Sequence, residues 1–204
     1  MVLKARARTP VWSIIQIALI AFMSMAMTGC DSSKNPLGRP KKEDFDQKLI
    51  GLWRGKQEGH DVYLHVVALE PPFMKAVLIT YPLNDYHVGV DQYDLYPTVT
   101  ATDKFLNVRV PAAESGKDNM EFWFAKYNFT AEGKLQILLA DSNSLEEAVK
   151  SHKLSGKEWS TTVADNVALD DSSEHLLNYF QSGDTKGKFK EFGTFHRVTE
   201  KEAN

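Results

Sequence analysis

His60-Asp61-Val62-Tyr63-Leu64-His65-Val66-Val67-Ala68-Leu69 decides the fold class of this chain. Side chains alternate across a strand. Val62, Leu64, Val66 and Ala68 therefore share one face, and Tyr63, His65, Val67 and Leu69 the other. Both faces carry apolar groups, so the spacing predicts a strand partly covered on both sides. Glu70-Pro71-Pro72 predicts a turn, because two prolines cannot join a ladder. Phe73–Tyr81 returns as a partner strand, and Pro82–Asp85 breaks it.

Working outward, the same period recurs. Further strands are predicted near Gly89–Asp94, Thr98–Thr102, Phe105–Val110, Met120–Phe129, Lys134–Ala140 and Phe189–Val198, with Pro97 marking an edge or break. Asp103-Lys104 and Ala131-Glu132-Gly133 have hairpin length. Two segments switch to helical spacing. Ser144-Leu145-Glu146-Glu147 reads as a capping box opening a helix to about Ser151. Asp171 with Glu174 opens a second helix over 172–181, with Leu176, Leu177 and Phe180 as its apolar stripe and Gly183 as its stop. About eight or nine short antiparallel strands with two short helices predict a mainly β domain that must hide its edges. Closure into a single up-and-down barrel hides them most completely. A two-layer β-sandwich is the alternative.

The N-terminus carries a different signal. Lys4, Arg6 and Arg8 precede an apolar run from Val11 to Met27, and Met27-Thr28-Gly29-Cys30 closes it. Positive start, apolar stretch and small residues are the layout of a secretory signal peptide over residues 1–29. The terminal four residues resemble the lipobox of bacterial lipoproteins. That resemblance implies cleavage before Cys30, a diacylglycerol thioether on its sulfur and a further acyl chain, commonly palmitate, on the new amino group. Cys30 is the sole cysteine of the chain, so it closes no internal disulfide. Several acyl chains meet the requirement for stable anchoring. An uncleaved membrane helix is the rival, but about 17 apolar residues is short for a span. Residues 30–44 hold mainly Ser, Asn, Pro, Gly, Lys and Asp and predict a flexible tether. The globular domain follows over 45–200, with 201–204 as a disordered tail. Asp31, next to the cysteine, resembles the signal that retains lipoproteins at the inner membrane, which implies a periplasmic domain there. The outer membrane is the alternative.

The chain carries a net charge of −3, and removing the three leader cations leaves −6. That argues against a nucleic-acid binder, which would show a basic stripe. No nucleophile elbow, phosphate loop or zinc helix is present in the sequence. His60 and His65 point to opposite faces of their strand, which disfavours a shared metal. Asp141, Glu146 and Glu147 read as helix-capping or solvated charges. Asp91 and Asp94 lie in a Tyr-rich segment that could line a pocket. The expectation is a non-enzyme with no cofactor and no metal.

Gly51-Leu52-Trp53, at the head of the domain, resembles the Gly-x-Trp motif that opens lipocalins and related calycin barrels. In that family the tryptophan plugs the closed end and a late arginine packs across it. Phe195-His196-Arg197 offers Arg197 for that place. The layout looks similar to bacterial lipocalin-like lipoproteins, with Gly51, Trp53 and Arg197 in structural roles. Phe122 and Phe124 share one face of their strand, Trp123 and Tyr127 the other, and these four are the candidate ligand-lining residues. The expected function is a membrane-anchored module binding a small apolar ligand. The alternatives are a protein-interaction factor, such as an envelope assembly accessory or an inhibitor of a cell-wall enzyme, and, more remotely, an envelope hydrolase.

Overall fold

The computed structural model describes residues 31–57, 59–81, 88–109, 121–160, 165–182 and 187–199. The signal peptide, Cys30, Gly183 and the tail 201–204 lie outside the described residues. Among the described residues there are eleven strands: β1 Ser32–Ser33, β2 Gly51–Gln57, β3 His60–Ala68, β4 Met74–Tyr81, β5 Gly89–Val99, β6 Lys104–Arg109, β7 Phe122–Phe129, β8 Leu135–Ala140, β9 Gly156–Ser160, β10 Asp165–Leu169 and β11 Phe189–Arg197. Helix α1 spans Ser142–Lys150 and α2 spans Ser173–Gln181.

Strands β2 to β8 follow one another in antiparallel order, and β11 pairs with both β8 and β2. The ring is thus a closed eight-stranded antiparallel barrel, and closure pairs off its edges except where β2 and β11 separate beyond Gly55. The alternation around Val62 explains its interior. Val62, Leu64 and Val66 face inward with Met74, Ala76 and Leu78 of β4, and the cluster continues through Leu95, Leu106, Ala125, Tyr127, Leu135, Ile137 and Phe195. Trp53, Met74, Tyr127 and Phe195 are each at most 1% exposed. Burying such side chains stabilises by about 1.5–3 kcal/mol apiece, so this half of the barrel is a filled core.

A second core covers the outer wall. Phe105, Phe122, Phe124 and Phe189 meet Leu145 and Ala148 of α1, Leu176 and Phe180 of α2, and Val167 and Leu169 of β10. The β9–β10 hairpin, unforeseen in the sequence, joins the barrel through β1, which pairs parallel with β10 and touches β7 at Ser33↔Phe122.

Residues 31–44 are not a tether. The Asp31 carboxylate accepts the Val167 N–H, Asn35 Nδ2 donates to the Asp171 carbonyl, and the Leu37 N–H donates to Asn107 Oδ1 at 2.7 Å. The Tyr96 hydroxyl donates to the Gly38 carbonyl. Two 3-10 turns, Lys42–Asp44 and Gln47–Leu49, lead into β2. The segment is a strap laid across β6 and β5 towards one barrel end. Composition concealed this because one leucine, Leu37, 1% exposed, holds it by burial and side-chain bonds satisfy its backbone.

Pro97 does not break its strand. The β4 pairing ends at Leu95, and Pro97 lies beyond it, opposite Leu106 of β6 alone. A one-sided position tolerates the missing donor. The caps also shift. Asp141, not Ser144, caps α1, accepting the Ser144 N–H at 2.9 Å. Ser172 caps α2 through the His175 N–H, and Asp171 instead bonds the His175 ring.

Candidate functional site

The barrel has two unlike ends. At one, β2 begins and β11 finishes, and Arg197 stands opposite Trp53 in the β11–β2 register. The guanidinium carbon lies 4.3 Å from the indole centroid. Nη1 donates to the Ile50 carbonyl and Nη2 to the Lys48 carbonyl, and the Trp53 Nε1–H donates to the Leu49 carbonyl. Gly51 is required there: its φ is +138°, and a Cβ would overlap Arg197 Nη1. Asp46 adds a third tie, pairing with Lys104 at 2.7 Å and accepting from Tyr127 Oη. Burial pushes the Asp46 carboxyl up, but the Lys104 ammonium, the Lys48 N–H and Tyr127 outweigh it and hold it below the usual range. This end is capped, and Gly51, Trp53 and Arg197 sit in it as structural parts.

The opposite end, the mouth, is built differently. Alternation continues the inner face to His60 on β3, to Asp91 and Tyr93 on β5 and to Leu139 on β8, since Asp91 pairs with the inward Leu78 and Leu139 with the inward Ala125. Trp123 of β7 stands opposite Val108 and packs on Tyr93 with ring centroids 5.7 Å apart. Leu139 is 40% exposed, so the inner face opens to solvent here. Trp123 Nε1 and His60 Nδ1 are both buried and have no hydrogen-bond partner. Native proteins rarely leave such groups unpaired.

The four residues expected to line a ligand are not brought together. Phe122 and Phe124 face outward, and Phe124 packs edge-on against Phe180 of α2 at 5.6 Å. A covering layer of helices and strands takes that face, so they line no interior. Tyr127 faces inward but lies in the filled half, bonded to Asp46. Trp123 alone reaches the mouth. His60, Tyr93 and Leu139 were missed, although the parity of His60 with Val62 was readable. Of the two acids in the Tyr-rich segment, Asp91 is on the inner face, whereas Asp94 pairs with Lys75 outside.

Outer depressions are present as well, two of them on the barrel wall. A groove of about 700 Å³ opens where β2 and β11 part company beyond Gly55, beside a bulge in β11. Its rim is charged, with Arg54 and Asp61 paired at 3.5 Å. A smaller cleft of about 320 Å³ lies between Leu69, Phe73, Leu95 and Tyr96. Among the described residues no group of three or more His, Cys, Asp or Glu side chains forms a metal site. Comparison with family models, curated proteins and solved structures finds no match. The fold thus defines the molecule's class: a closed eight-stranded antiparallel barrel with a helical outer layer.

Proposed function

We propose that this chain is a lipoprotein anchored through Cys30 at the periplasmic face of the inner membrane, and that its barrel mouth binds a small apolar ligand with a polar tip. One observation carries the binding claim: the unpaired, buried Trp123 Nε1–H and His60 Nδ1 on the inner face of an aromatic mouth. A buried polar group left unpaired costs about 1–3 kcal/mol. A ligand whose polar tip pairs with either group recovers that cost, while Tyr93, Trp123 and Leu139 take its apolar part. The filled lower barrel limits the ligand to the mouth. The kinship with lipocalin-like lipoproteins rests on Gly51, Trp53 and Arg197, and on Met27-Thr28-Gly29-Cys30 for the anchor. No bond-making chemistry is proposed. Membrane-extracted wild-type protein should retain a small molecule that Trp123→Phe protein releases. Equal retention by both would contradict the assignment to the mouth.

A second reading, an envelope-protein partner, is favoured by the cleft at Leu69 and Phe73, which are 45% and 37% exposed. Loss of a specific cross-linked partner in a Leu69→Asp, Phe73→Asp variant with unchanged ligand retention would favour it.

A further inference from the structure

The strap changes what an anchor at Cys30 does. A flexible leash of 14 residues would reach about 45–50 Å and leave the barrel free to tumble. There is no such leash. Asp31 Oδ1 accepts the Val167 N–H at 2.7 Å, Ser32 pairs with Ala168, and Ser33 pairs with Phe122. Ser32 and Ser33 are both buried. Asp31, the residue that follows the anchor cysteine in the chain, is therefore fixed in the fold.

That fixed point belongs to the mouth end. Phe122 is the first residue of β7, and β7 begins where β4 and β8 end and where β5 begins, as antiparallel pairing demands. Four exposed apolar side chains stand at this same end: Tyr81 at 45%, Val88 at 46%, Val90 at 56% and Leu139 at 40%. Tyr81 and Val90 lie on the outer wall of β4 and β5, away from the second core, and Val88 directly precedes β5. A tyrosine among aliphatic side chains suits the boundary between headgroups and hydrocarbon. Among the described residues, the other large exposed apolar side chains, Leu69, Phe73 and Val99, lie at the capped end, a strand length of roughly 25 Å away.

We infer that the mouth end, through Tyr81, Val88, Val90 and Leu139, is the face that rests on the bilayer. The inference rests on the anchor reading above. It adds that the mouth opens towards lipid, so that its ligand arrives from the membrane, and that the capped end with the Leu69–Phe73 cleft points into the periplasm.

The lone cysteine makes a clean test. Full-length, processed protein carries no free thiol once Cys30 is acylated, so a new cysteine takes a fluorophore alone. Val90→Cys and Val99→Cys replace exposed residues at opposite ends. In vesicles of phosphatidylethanolamine and phosphatidylglycerol carrying nitroxide lipid, the probe at 90 should lose fluorescence and the probe at 99 should not. Equal quenching at both, or stronger quenching at 99, with Cys30 acylated, overturns the orientation and leaves the anchor standing. A second labelled thiol, showing Cys30 free, overturns the anchor reading and this inference with it.

Discussion

Arg197 lies across the indole of Trp53 at 4.3 Å and at the same time ties the carbonyls of Ile50 and Lys48 to the last strand. One side chain thus joins the turn that leads into β2, the first barrel strand and the final strand. Trp53→Ala should cost about 3–5 kcal/mol, since the ring is fully buried. Arg197→Ala should cost about 1–3 kcal/mol through its lost bonds and stacking. The two changes should be coupled by about 0.5–3 kcal/mol. Denaturation midpoints of the single and double variants measure this, and strict additivity would separate the two roles.

Gly51→Ala should destabilise by about 1–3 kcal/mol, because φ +138° suits glycine and the new methyl group would displace the guanidinium. Its signature is specific: in the Gly51→Ala background, Arg197→Ala should cost less than in the wild type. An undiminished cost would show that Arg197 does not depend on the gap at residue 51.

Asn107 is 0% exposed and holds the strap. Its Oδ1 accepts the Leu37 N–H, and its Nδ2 donates to Thr98 Oγ1 and the Tyr96 carbonyl. Asn107→Ala leaves the Leu37 N–H unpaired, at a cost of about 1–3 kcal/mol. Hydrogen exchange should accelerate at Leu37 and its neighbours while the barrel interior at Val62 and Leu64 stays protected. Uniform acceleration would mean that the strap and barrel unfold as one unit.

The pH dependence follows from Asp46. Its folded-state carboxyl titrates below the ordinary value of 3.8, so the folded state binds fewer protons than the unfolded state. The stability it supplies is fully present above about pH 4 and is lost as pH falls through the lower folded value. Asp103, paired with Lys126, is lowered in the same way and acts in the same direction. Asp46→Asn should therefore cost most at neutral pH, and its stability should converge on that of the wild type in acid. A cost that does not change with pH would locate the effect in packing alone.

The fold was legible where the alternation is regular. The run from His60 to Leu69 marked β3 and, through Pro71-Pro72, the antiparallel return of β4, but apolar groups on both faces left the inward one open until the register with β4 fixed it. The capped end was legible only through the resemblance of Gly51-Leu52-Trp53 and the late Arg197 to the lipocalin motif. The strap was not, since its order comes from Leu37 and from partners about 60–140 residues away in sequence, such as Tyr96, Asn107 and Asp171. The site was half legible. The alternation of Phe122 to Tyr127 was plain, but which face a helical layer covers depends on where α1 and α2 dock. His60 and Leu139 reach the mouth only through closure of strands distant in sequence.

The most direct test of the account is native mass spectrometry of the protein extracted from its own membrane. A lipid-anchored protein with a ligand in its mouth should yield a chain beginning at Cys30, carrying a diacylglyceryl thioether and an amide-linked acyl chain, with a small molecule bound in the wild type and absent from Trp123→Phe. An unmodified, uncleaved chain would contradict the anchor, and an acylated wild-type protein with nothing bound would contradict the function proposed for the mouth.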